Sequence, residues 1–186
     1  MLLNNLILNS KHMSTIQWNL DPTHSELRFK VKHLGISTVS GSFEVINGTV
    51  TSTDDAFTSA DISFTADAST INTNNTDRDN HLKSADFFEA EKYPSLIFEA
   101  KGVDLNQDEV EGTLTIKGIS LPVKLEVELE GIAKDPWGNQ KAGFSVSGKI
   151  KRSAWGLTWN AALETGGVLV SDEVKISAEV QFVKGA

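Results

Sequence analysis

The chain of 186 residues carries 17 Lys and Arg against 25 Asp and Glu, a formal charge of −8 with its four His neutral. A chain of this length buries on the order of 70% of its unfolded surface, enough for one domain with a real core. The lack of Cys removes disulfides, thiolate nucleophiles and Cys-bound metal or iron–sulfur sites, and an acidic balance without a Lys or Arg run excludes nucleic acid as a partner and disfavours anionic membranes.

Residues 1–13 hold a short apolar patch (Leu2, Leu3, Leu6, Ile7, Leu8) broken by Asn4 and Asn5, with no leading positive charge and no small-residue cleavage site. They read as an N-terminal extension or a remnant of cloning, with Met13 as the more natural start and one domain over 14–186. No apolar run approaches the roughly 20 residues that cross a bilayer. Without an export signal the expected compartment is the cytoplasm.

From about residue 15 the dominant period is two, that of a strand. Leu27, Phe29, Val31 and His33 share one phase and Glu26, Arg28, Lys30 and Lys32 the other. Weaker alternation covers about 39–50 and 57–68, with Asn47-Gly48 as a turn signal. A helix is predicted over about 77–93: Thr76 with Asp79 reads as a capping box, Leu82, Ala85 and Phe88 form an apolar stripe beside His81, and Pro94 ends it. Further alternation covers 95–104, 108–118 and 142–151. Val123 to Leu129 and Val174 to Phe182 alternate cleanly with charged or polar residues. Turns are expected at Asn106 to Asp108, Gly118 to Pro122 and Asp135 to Gly138. Eight or nine strands, each apolar on one side, need a closed or doubled sheet to hide that side, and a barrel also removes the sheet edges. The fold class is therefore all-β, an eight-stranded antiparallel barrel with one inserted amphipathic helix.

The inward phase bears on what fills the barrel. Large residues (Leu27, Phe29, Val31, Phe43, Phe64, Phe98, Phe144, Val146, with Phe88 from the helix) are interspersed with small ones (Ala66, Ala68, Ala100, Gly112, Gly118, Gly148, Ala178). Two readings stand: the small residues leave room for an aliphatic chain, or they are corner kinks and taper fillers in a packed core. Each buried CH₂ contributes roughly 0.8 kcal/mol, so a few isoprene units suffice for tight binding. His33, His81 and Arg152 stand where the inward phase turns polar and are candidates for a head group, Arg152 offering a planar fork for phosphate or carboxylate. A hydrogen-bonded His33, a surface His81 and an Arg152 whose stem packs are the plain alternatives. Trp155, Trp159 and Trp137 either line an entrance or pack; Trp155 is counted among the ligand contacts. His24, in Asp21-Pro22-Thr23-His24-Ser25, reads as a local turn residue.

The alternative class is a lipid-modifying enzyme using His81 with Asp79 or Asp86 as acid and base. There is no Gly-x-Ser-x-Gly elbow, no His pair at metal-ligand spacing and no Gly-rich phosphate loop. Neither a catalytic residue nor a metal ligand is assigned.

From Trp18 to about Val183 the chain resembles the YceI-like lipid-binding proteins. The resemblance is carried by Asp21-Pro22-Thr23-His24-Ser25 running on through Phe29, Val31, His33, Leu34, Gly35, Gly41 and Phe43. It continues in Arg78-Asp79-Asn80-His81-Leu82 with Asp86-Phe87-Phe88 and Tyr93-Pro94, and in Gly112 to Gly118 with Pro122-Val123. Arg152 with Trp155-Gly156-Leu157, then Asp172 to Ile176, complete it. Ala154 departs where the family often carries an acidic residue, and Ser171 where it often has glycine. The resemblance implies a lipocalin-like barrel whose elongated pocket takes a long isoprenoid, isoprenoid quinone or fatty-acid-like molecule, and it implies a homodimer. It also implies no cofactor beyond that bound lipid, a bacterial source, frequent periplasmic location, and association with quinone metabolism or stress responses.

Overall fold

The computed structural model describes residues 14–186; the expected extension over 1–13 lies outside the described residues, apart from its boundary. Among the described residues eleven strands follow in order: β1 (Ile16–Leu20), β2 (Glu26–His33), β3 (Ser37–Phe43), β4 (Ile46–Ser52), β5 (Ala60–Asp67) and β6 (Ile71–Asn72). After helix α1 (Thr76–Lys83) come β7 (Ser95–Val103), β8 (Glu109–Ile116), β9 (Ile119–Lys134), β10 (Gln140–Lys151) and β11 (Val170–Lys184). All pairings are antiparallel.

The eleven strands make eight staves of a closed barrel. β1 and β2 both lie along β11, and β3 pairs with β2 while β4 pairs with β1. Each pair is thus one stave with a bend, as are β5 and β6. The bends have local causes. At the first, Asp21 accepts from the Thr23 N–H at 3.1 Å and Pro22 interrupts the ladder. At the second, the N–H groups of Glu44 and Val45 turn to the carbonyl and hydroxyl of Thr70. At the third, Asp67 caps the turn Ala68–Thr70. The pairing of Leu20 with Phe182 closes the cylinder.

The base is sealed by aromatic packing. Asp54 accepts from the Thr58 N–H and hydroxyl, and the turn so held puts Phe57 in left-handed backbone (φ 56°), an uncommon place for a bulky residue. Its ring is fully buried 5.0 Å from Trp18 and 5.2 Å from Phe144 between centroids. The opposite end is looser. There β6 is two residues long and pairs with β3 alone, and residues 73–94 run past it. Arg78 fastens this segment by donating to the Thr73 hydroxyl (2.7 Å) and carbonyl (2.8 Å).

Several predicted boundaries shift. The helix stops at Lys83, where Ser84 takes extended backbone and both its N–H and its hydroxyl bond the His81 carbonyl. Leu82 is its one apolar residue and it buries no side chain fully, so it is not the amphipathic helix expected over 77–93. Its cap is Asn75, accepting from the Arg78 N–H at 2.9 Å; Asp79 serves Thr73 instead. Asn47-Gly48 lies inside β4, where the Phe64 ring covers Gly48, and Pro122 sits within β9 opposite Thr113. The turn expected over Gly118 to Pro122 is only Lys117-Gly118.

Candidate functional site

A cavity of about 240 Å³ runs inside the barrel above the Phe57 seal. By a measure in which one water needs roughly 10–15 Å³, that is room for on the order of twenty water-sized groups. Phe144 and Ile150, six residues apart on β10, both line it. At about 3.3 Å per residue and a strand tilt near 40°, they span roughly 15 Å of the axis.

Its walls are the inward phase of the strands. Phe29, Val31, Phe64, Phe98, Val127, Val146 and Ile176 point inward yet are only half-buried. In a filled core these side chains would be covered on every side. Their residual exposure is surface facing the bore.

Glycines shape the walls in a way that composition did not reveal. A Cβ at Gly112 would stand 2.5 Å from the Phe98 ring, at Gly41 2.4 Å from the Phe29 ring, and at Gly148 2.6 Å from a Leu125 methyl. The expected vacancies beside Gly112 and Gly148 are therefore occupied. Large side chains lie flat over the glycines, and this holds them against the wall and off the axis. Ala66 and Ala178 do face the cavity, whereas Ala68 and Ala100 are buried elsewhere and Gly118 is a turn residue (φ 75°) packed against Tyr93.

Of the expected ligand contacts, Leu27, Phe29, Val31, Phe43 and Phe64 line the cavity, as do Phe88, Phe98, Phe144, Val146 and Arg152. His33, His81 and Trp155 do not. His33 ends β2, half-buried beside the hairpin tip. Trp155 packs below the surface, its indole N–H donating to the Leu114 carbonyl at 3.0 Å. Trp137 is exposed on the turn between β9 and β10, at the sealed end. Ile62, Leu96, Leu114, Val127 and Ile176 also line the bore, on strand phases visible in the sequence. Phe87 and Leu157 join from irregular segments where no period marks them.

The polar groups at the upper end are largely committed to the protein. Arg152 is 6% exposed and donates to four main-chain carbonyls: Ser171 (2.9 Å), Leu157 (2.6 Å), Trp159 (2.9 Å) and Val170 (3.3 Å). Burial lowers its pKa, opposed by the charge of Asp172. The fork is thus the hub that folds the long connection from β10 to β11. Asp172 accepts from the N–H and hydroxyl of Ser153, and these bonds hold its carboxyl below the ordinary range.

The His81 Nε2 lies 2.9 Å from Asp86 Oδ2, and its ring meets Trp159 edge-on at 4.7 Å and Phe87 at 5.1 Å. The expected alternative partner, Asp79, is occupied by the Thr73 N–H and hydroxyl. The His81 pair stands outside the cavity lining, so among the described residues no acid–base pair faces the bore. Among the described residues no group of three His, Asp or Glu is arranged to hold a metal ion, and no helix is long and apolar enough to cross a membrane.

The sequence matches the profile of the YceI-like domain over residues 18–182. A UPF0312 protein of Staphylococcus aureus is 42% identical over 166 residues, covering 89% of this chain and 96% of that protein. The structure of the Campylobacter jejuni YceI protein superposes with a TM-score of 0.69 at 36% identity, covering 83% of this chain and 90% of the other. A polyisoprenoid binding domain from Saccharophagus degradans shares the fold, with a TM-score of 0.70 at 17% identity over 90% of this chain and 98% of that one. With the barrel, its bore and these matches together, the chain belongs to the YceI-like family.

Proposed function

We propose that the protein binds and carries a long apolar chain, an isoprenoid, isoprenoid quinone or similar amphiphilic lipid, inside the barrel. The observation that carries this reading is the cavity itself, about 240 Å³, walled by aliphatic and aromatic side chains and stopped at one end by Phe57. Its driving force is removal of hydrocarbon from water, which needs no directional partner. The tail lies toward the Phe57 seal and the head toward the end where α1 and Arg152 sit. A protein of the same fold being a polyisoprenoid binding domain supports the choice of guest. The guest is cargo rather than cofactor, held without being transformed; in support of this, the His81–Asp86 pair lies outside the lining among the described residues and Asp79 is bonded to Thr73. A homodimer is proposed with this reading and is checked by sedimentation.

The test is organic extraction of the purified protein followed by mass spectrometry, with a fluorescent prenyl or acyl probe offered to the extracted protein. A co-purifying lipid, or saturable probe uptake at one site per chain, is the expected result. Protein that arrives empty and takes up neither probe overturns the proposal.

A further inference from the structure

The tip of the β2–β3 hairpin and the connection from β10 to β11 meet at the upper end, where the Leu34 N–H donates to the Leu169 carbonyl at 2.8 Å. This pair of loops exposes three large apolar side chains: Ile36 at 84%, Val168 at 52% and Leu34 at 40%. They stand close in the chain to residues that line the cavity. Val31, three residues before Leu34, and Val170, two residues after Val168, both face the bore.

Charge is distributed unevenly about them. Residues 33–39 and 156–171 contain one formally charged side chain, Glu164, in a chain of net charge −8. The turns at the sealed end carry Asp54, Asp55, Asp104, Asp108 and Asp135, with Lys134 and Lys184 beside them. Across the upper end, α1 and the turns after it carry both signs, from Asp77 and Arg78 to Glu91 and Lys92. The exposed apolar tips therefore stand on loops that carry one formal charge between them, flanked by the exposed Lys32, Asp172 and Glu173.

We infer that these loops are a docking face for an electrically neutral lipid surface, through which the guest enters and leaves the bore. An acidic protein is repelled by anionic bilayers, so a face of this kind suits zwitterionic head groups and insertion of Ile36 and Val168 between them. A guest that leaves along the apolar tips into a bilayer avoids hydrating its chain. The inference rests on the carrier reading for its purpose, but the contact is measurable without any guest.

Flotation with phosphatidylcholine vesicles tests it, using the unloaded protein and the double variant Ile36→Asp with Val168→Asp. Both positions face water, so the variant is expected to fold normally, verified by circular dichroism. Wild-type protein should float with the vesicles, and the variant should lose at least about ten-fold in partitioning, since burying one such side chain is worth one to two powers of ten. Adding anionic lipid should not strengthen the association. Wild-type protein that stays in the aqueous phase, or a variant that floats equally well, overturns the inference. So does a sedimentation result in which the variant merely splits a dimer that never floated, for then the face belongs to a second copy. Probe uptake from vesicle-free solution is run alongside. If both proteins fail to take up the probe, the carrier reading falls while the flotation result still decides the docking face.

Discussion

Ala178 lies in β11 about midway along the bore, in register with Val146 on one side and Leu27 on the other, and all three line the cavity. Ala178→Leu adds three carbons that have nowhere to go but inward. A bound chain must give up about three methylenes of room, about 2.4 kcal/mol at 0.8 kcal/mol each, or roughly fifty-fold in Kd. The empty protein should not suffer, because the added atoms meet the half-buried walls and gain contacts there. Titration with a fluorescent prenyl or acyl probe measures the first effect and chemical denaturation the second. The expected pattern is weakened binding with an unchanged or raised denaturation midpoint. A packed interior would behave oppositely, losing roughly 1–3 kcal/mol of stability to overpacking. That loss, with probe binding unmoved, would refute the argument from the cavity.

Gly112→Ala should destabilise by about 1–3 kcal/mol in urea unfolding, because the new Cβ meets both the Phe98 ring at 2.5 Å and the Glu99 carbonyl at 2.7 Å, and the second cannot move aside. Gly148→Ala meets only the tip of Leu125 within 3 Å, so it should fold normally and bind the probe more weakly as that methyl swings inward. Arg152→Met takes a donor from four carbonyls, of which that of Val170 keeps a second from Asn160 at 2.7 Å, so we expect a loss of at least about 2 kcal/mol and faster amide hydrogen exchange over residues 156–171. Asp21 is held well below the usual carboxylate range, first by the Thr23 hydroxyl, then by His24 and Lys141 against the opposing effect of desolvation. A depressed folded pKa gives stability that is present above the unfolded value and lost as pH falls below about 3.9, so Asp21→Asn should flatten the acid limb of a stability-against-pH curve. An unchanged acid limb would show that the three partners do not act on Asp21.

The sequence by itself determined the strand phases, because a period of two with one apolar side is that of a half-buried strand, and it required the sheet to close or to double in order to hide that side. It therefore also marked most of the cavity wall, from Leu27 and Phe29 on β2 to Phe144 and Val146 on β10. What it could not determine were the features that depend on residues far apart in the chain. Whether Gly112 leaves a hole depends on where the Phe98 ring, fourteen positions away, comes to lie. Whether Arg152 is free for a head group depends on the path of residues 157–171, whose carbonyls claim it. The helix pattern ran past Lys83 because a propensity is local, while Phe87 and Phe88 are drawn into the bore by a contact that is not. Periodicity fixes which way a side chain points; only the assembled barrel decides what it meets there.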